Sequence, residues 1–380
     1  MQAWHFSETA YPYLPDESTY ESVRVTLPNG LIDPAKAADL WHRYLDEWAY
    51  ADELGLGIML NEHHSTATCM DPCAPLIAAV LARETRRSDI LLLGNPIANR
   101  RDPVRVAEEM ALVDLLSRGR LICGLVRGVP YEISATNSMP LRMSERFWEA
   151  HDLILKAWTT HDGPFSWQGR YFEHRQVNIW PRPYTQPHPR VWITSLTPSS
   201  VARVADHGYT VATFLVGRDG ARRVFDAYRA RRTELGLPTD DGQLAYAALV
   251  YVGDTDEEGL AGAQKLMWYI RANKVPPQFN NPPGYSPAAA RVAAWRGQLP
   301  ASAFAHRTFE ELIENGVVFA GNPDTVTAAL RRFYGDVGGF GHLMIMGQAG
   351  HLEHDETIKS MRLYAEEVHP RLQDLVPAVA

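Results

Sequence analysis

Only three cysteines, Cys69, Cys73 and Cys123, occur in 380 residues. So few, and an odd number, give no disulfide framework, and a reducing, cytoplasmic setting is expected. Positive charge is also in short supply. With 45 acidic against 37 basic side chains the net charge is -8, which gives neither nucleic acid nor an anionic membrane surface an electrostatic reason to bind. No run approaches the roughly 20 apolar residues of a membrane span, and the first residues show no basic segment leading into an apolar core, so neither a span nor a secretory signal is expected. Metal-binding spacings such as H-x-H and H-E-x-x-H are missing, which weakens a zinc reading of the adjacent His63 and His64, even with His5 nearby. Cys69 and Cys73 would lie one turn apart on a helix, and burial is expected for them rather than a bridge. Aromatics, by contrast, are plentiful: ten Trp, sixteen Tyr and twelve Phe can line an apolar ligand pocket as well as a core.

The chain is organised around residues 89–128. The nearly uncharged run 90–97 has the composition of a strand buried on both faces, as in parallel sheets covered by helices. Asp102-Pro103 then reads as a helix start, a capping carboxylate followed by a proline at the first helical position. Val106, Met110 and Val113 recur at helical spacing, Gly119 suits the helix end, and the apolar run 121–126 follows. This βαβ unit delivers Arg127-Gly128 at a strand's carboxyl end, where parallel α/β sheets place their ligands.

Strand-like runs recur at 4–6, 56–60, 190–194, 210–215, 244–252 and 342–346, each followed by a helical pattern. With the two central strands the count is eight, which predicts one (β/α)8 barrel over 1–380 with insertions at the carboxyl face of its strands. Two stretches interrupt the rhythm. Residues 159–190 read as a hairpin and a proline-rich excursion, and 274–307, rich in Pro, Gly and Asn with one short helix near 288–295, as an insertion loop serving as a lid.

Three constellations could carry chemistry at that face. Glu62-His63-His64 ends the second strand, where an imidazole titrating near neutrality could act as a base; otherwise one histidine packs and the other faces solvent. Arg127 could pair with a phosphate, or form a rim ion pair. Ser195, Thr197 and Ser199, in the turn from the fifth strand into a helix, offer hydroxyls and free amides to an anion, or an ordinary helix cap.

These residues resemble the bacterial luciferase family of flavin-dependent monooxygenases over nearly the whole chain. The resemblance rests on Glu62-His63-His64, on 102–109 (DPVRVAEE), on 115–120 (LLSRGR), on 124–128 (GLVRG), and on the segments 165–171, 180–183, 195–200 and 321–324 in the same order and spacing. It implies a barrel that takes reduced FMN from a separate flavin reductase and uses O2, through a flavin C4a-peroxide, to oxygenate a small organic substrate. Hydroxylation, epoxidation and Baeyer–Villiger insertion all fall within that description, and the aromatic content suggests an apolar substrate. By the same resemblance His63 matches the catalytic histidine, Arg127 the arginine for the flavin phosphate, and Ser195, Thr197 and Ser199 the phosphate turn. Gly94-Asn95 falls where the family has a non-prolyl cis peptide against the flavin ring. A homo-oligomer, dimer or tetramer, is also expected. Val126 stands where luciferases carry a reactive cysteine and Thr194 where they carry a glutamate. Two other activities occur in such barrels: hydride transfer with the deazaflavin F420, and flavin binding without catalysis.

Overall fold

In the computed structural model, which describes residues 1–272, 274–285, 292 and 307–375, the apolar run at 90–97 forms a strand buried at every position, β3 (Ile90–Pro96). The other strands are β1 (Gln2–Ser7), β2 (Gly57–Leu60), β4 (Leu121–Val126), β5 (Phe165–Gln168), β6 (Glu173–Val177), β7 (Arg190–Thr194), β8 (Thr210–Phe214), β9 (Leu244–Val252), β10 (Val318–Gly321) and β11 (His342–Gln348). Strands β1-β2-β3-β4-β7-β8-β9-β11 pair in parallel, and β11 returns to β1, closing the eight-stranded barrel.

Strand alternation sorts the side chains into two cores. Trp4, Phe6, Met59, Leu91, Leu93, Ile122 and Trp192 fill the barrel, while Ala3, Ile58, Leu92 and Cys123 face the helices. Near the amino ends Trp4 meets Trp192 edge to face at 5.3 Å, and its indole donates to His342 Nδ1 at 3.3 Å. Gly57 is required there, because a Cβ would come within 2.3 Å of the Trp4 ring.

The helices begin and end as their sequences dictate. Asp33 caps α1 (Pro34–Glu53) by accepting from the Ala35 and Lys36 amides, and Asp102 caps α3 (Pro103–Ser117) by accepting from Val104 and Arg105. The left-handed residues ending α3 are Arg118 as well as Gly119. Helix α2 (Ala74–Glu84) starts after both Cys69 and Cys73, which are therefore not one turn apart on it; all three cysteines are free thiols.

One strand, β10, goes beyond the sequence count. Strand β9 is long enough to pair with β8 over its first half and with β10 over Leu249–Val252, so β10 takes over the edge that β8 leaves and widens the wall toward the carboxyl end. Its four residues lie between two helices and are made a strand by long-range pairing with β9, which no local pattern shows. The hairpin β5–β6 is antiparallel, and Glu149 of α5 (Met143–Thr159) fastens its turn by accepting from the Arg170, Tyr171 and Phe172 amides. The expected helix near 288–295 and most of the insertion 274–307 lie outside the described residues. Among the described residues no helix is long and apolar enough to cross a membrane.

Candidate active site

The carboxyl ends of the strands bring together a polar cluster that the barrel interior below it lacks. Leaving β2, the chain splits Glu62, His63 and His64 between two tasks. Buried Glu62 accepts from Arg100 at 2.5 Å, from His64 Nε2 at 3.2 Å and from the Ala74 amide that opens α2. That hydrogen bond and charge raise the His64 pKa and commit its ring to Glu62.

His63 points to a different partner. Its Nδ1 lies 2.9 Å from Oε1 of Glu132, whose carboxylate is buried and also accepts the His64 amide at 3.0 Å. Glu132 opens the short helix α4 (Glu132–Ala135) in the loop after β4. A carboxylate partner accepts, so in the neutral imidazole the proton sits on Nδ1 and Nε2 is the acceptor. With the imidazole side chain 18% exposed and Nδ1 taken by Glu132, Nε2 is the outer end of a carboxylate–imidazole pair. Tyr131 reinforces the arrangement: its hydroxyl is 3.2 Å from His63 Nδ1 and touches Arg24.

Arg127 and the serine turn share one level. Strand β4 pairs with β7 with Leu125 opposite Ile193, and Arg127 and Ser195 each follow two residues later, just past the carboxyl ends of those strands. Arg127 is exposed; it donates to the Tyr285 hydroxyl at 2.6 Å and its guanidinium lies 4.6 Å from that ring's centre. Tyr285 belongs to the 274–307 insertion and donates on to the Gly128 carbonyl. In the turn, Ser195 Oγ is 2.6 Å from Ser200 Oγ, and Thr197 Oγ1 is within 3.2 Å of Ser199 and 3.1 Å of Ser200. Ser195 Oγ and Ser200 Oγ also reach the Thr197 carbonyl, at 3.2 Å and 2.8 Å, and each hydroxyl can rotate from that partner toward an incoming anion.

The expected cis bond is not found. Among the described residues the cis peptides are Trp180–Pro181 and Gln186–Pro187, so Gly94–Asn95 is trans. The local irregularity takes the form of a register shift between Leu93 and Asn95 against β4. It brings Gly94 so close to Val126 that a Cβ would fall 2.0 Å from its Cγ1. Asn95, opposite Leu125, is wholly buried, and neither of its amide atoms finds a partner. Thr194 and Thr213 at the ends of β7 and β8 also have unpartnered hydroxyls. The zinc reading loses its third ligand, since His5 lies among Leu56, Val250, Ile345 and Tyr364 on the helix side of β1. No three His, Cys, Asp or Glu side chains converge as metal ligands among the described residues.

An exposed guanidinium, a hydroxyl-lined turn at the same level and orphaned polar atoms at neighbouring strand ends fit a phosphate-bearing flavin. Sequence reasoning missed Glu132, Tyr131 and Arg24, none of which belongs to a recognisable motif.

A family model described as luciferase-like monooxygenase matches residues 25–339. The oxygenase component of a flavin-dependent trigonelline monooxygenase from Acinetobacter baylyi is 23% identical over 240 residues, 62% of this chain and 65% of that one. Among solved structures, the oxygenating constituent of 3,6-diketocamphane monooxygenase from Pseudomonas putida, in complex with FMN, superposes with a TM-score of 0.73 at 18% identity over 99% of both chains. An F420-dependent secondary alcohol dehydrogenase bound to an F420-acetone adduct gives 0.66 at 15% identity over 90% of this chain and 96% of its own. By the match of the family model, which covers most of its length, the chain belongs to the luciferase-like monooxygenases.

Proposed function

We propose that the protein is the oxygenase component of a two-component monooxygenase that takes reduced FMN from a separate reductase and oxygenates a small organic substrate with O2. The observation that carries this reading is the His63–Glu132 pair at the same mouth as Arg127 and the serine turn. Bound reduced flavin would supply the electrons that activate O2. Arg127 would hold the phosphate, exchanging its bond to Tyr285 for charge-assisted ones, with Ser195, Thr197 and Ser199 completing the cradle. The backbone of Gly94 and Asn95 would border the ring.

His63 handles the proton. With Nδ1–H fixed on Glu132, Nε2 can take a proton from, or return one to, a group in the mouth, and the carboxylate stabilises the imidazolium while it lasts. Tyr285 sits against Arg127 and Gly128 at the mouth, where a lid would keep water from the reacting atoms. The 3,6-diketocamphane enzyme's described complex with FMN supports FMN as the cofactor here, and the trigonelline enzyme's oxygenase component supports a reductase partner.

Titration of reduced FMN under anaerobic conditions tests the assignment. Each charge-assisted contact contributes about 1.5–3 kcal/mol, so Arg127→Ala is expected to weaken binding roughly 10- to 100-fold. Affinity within twofold of wild type would refute the phosphate role. Preference for reduced F420 without O2 consumption would instead make the protein a hydride-transfer enzyme.

A further inference from the structure

Arg24 is a buried side chain that forms no ion pair among the described residues. It is 2% exposed, yet no carboxylate oxygen of the described residues lies within the 4.0 Å of an ion pair. The residues not described between 273 and 306 contain neither aspartate nor glutamate. Its Nε has no hydrogen-bond partner, one terminal nitrogen meets the Tyr131 hydroxyl, and the guanidinium carbon sits 4.7 Å from the centre of that ring. Isolating a charge from water without a partner is costly, and such a group persists where a ligand completes it.

The chain holds Arg24 there by force. The strap 22–25 is tied to the segment beyond His64 by the Val25 amide on the Ser65 carbonyl, at 2.6 Å, and the Ala67 amide on the Val23 carbonyl, at 3.0 Å. The next residue, Val25, has φ of 67°, a left-handed conformation that a β-branched side chain adopts only under constraint. The guanidinium thus lies one hydroxyl away from His63, since Tyr131 touches both.

Glu8 interacts with it through space but forms no ion pair within 4.0 Å. Glu8, just past β1, accepts from Asn61 at 2.9 Å and from the Tyr269 hydroxyl, and complete burial raises its pKa despite the nearby Arg24 and His63. Tyr269, buried against Glu8, faces the same space with its own pKa raised by burial.

We propose that Arg24 binds a carboxylate carried by the substrate and holds it beside His63. This rests on the oxygenase reading of the mouth and narrows its substrate class: an apolar body with an anionic group replaces the purely apolar compound expected from aromatic content.

Binding of benzoate and acetate, against benzamide and acetamide of the same shape, is measured by calorimetry on the full-length protein without flavin. Wild type is expected to favour the acid over its amide roughly 10- to 100-fold. Arg24→Lys should keep most of that preference and Arg24→Gln abolish it, with near-ultraviolet circular dichroism confirming the fold of both. Reduced FMN should bind Arg24→Gln within twofold of wild type. Equal or absent preference in wild type overturns the proposal, and that comparison needs no variant. Loss of reduced-FMN affinity in Arg24→Gln would overturn it in favour of the flavin as the anion. Failure of wild type to bind reduced FMN would sink the oxygenase reading alone, because carboxylate preference is read without flavin.

Discussion

Replacing His63 by alanine removes the imidazole between Glu132 and the mouth, and the structure sets the size of both consequences. Glu132 keeps the His64 amide but loses a 2.9 Å bond, so stability should fall by about 1.5–3 kcal/mol, the worth of a hydrogen bond to a charged group. A general acid–base group contributes about 10²–10⁴-fold in rate, so the loss of transition-state stabilisation should be roughly 3–5 kcal/mol. His64→Ala is the matched control: it takes one partner from Glu62 and leaves Arg100 at 2.5 Å and the Ala74 amide in place. Its rate should stay within a few-fold of wild type. Glu132→Gln keeps the shape but loses the charge, and should fall between the two. Each variant, bound to reduced FMN, is mixed with O2 by stopped flow, following flavin reoxidation and oxygen incorporation into product. Added imidazole should partly restore His63→Ala. If His63→Ala reacted at the wild-type rate while His64→Ala did not, the proton would travel through the neighbour and the dyad argument would be wrong.

Two further outcomes concern the scaffold. Burial drives the His5 pKa down to about 3, so the unfolded chain takes up a proton below pH 6.5 that the folded chain refuses. Stability should therefore decline as pH falls from 6.5 toward 3, by about 2 kcal/mol at pH 5 from this residue. His5→Phe, in its largely apolar surroundings, should flatten that decline in urea titrations at pH 7 and pH 5; an unchanged pH dependence would show that other groups govern it. Gly94→Ala should cost about 1–3 kcal/mol, because its Cβ would lie 2.0 Å from Val126 Cγ1. The double variant Gly94→Ala with Val126→Ala should recover part of that, and strictly additive losses would mean the two do not share the space.

What the sequence determined by itself is what local physics governs. The apolar runs of β3 and β4 and the caps Asp33 and Asp102 are decided within a few residues, and eight such units leave a closed barrel as the solution that buries every strand. The positions of His63, Arg127 and Ser195 at the mouth follow from that count, because strand ends are fixed once strands are. Tertiary structure decided what those residues meet. Glu132 is 69 positions from His63, and Tyr131 is 107 from Arg24, so no periodicity or spacing could have paired them. The choice between His63 and His64 likewise belongs to the fold: adjacent and chemically identical, they part because one ring meets Glu132 and the other meets Glu62, already committed to Arg100. Burial, finally, is a property of the closed molecule, and it alone turned Arg24 from one of many surface-type residues into a buried guanidinium with no ion pair among the described residues, beside the proposed proton carrier.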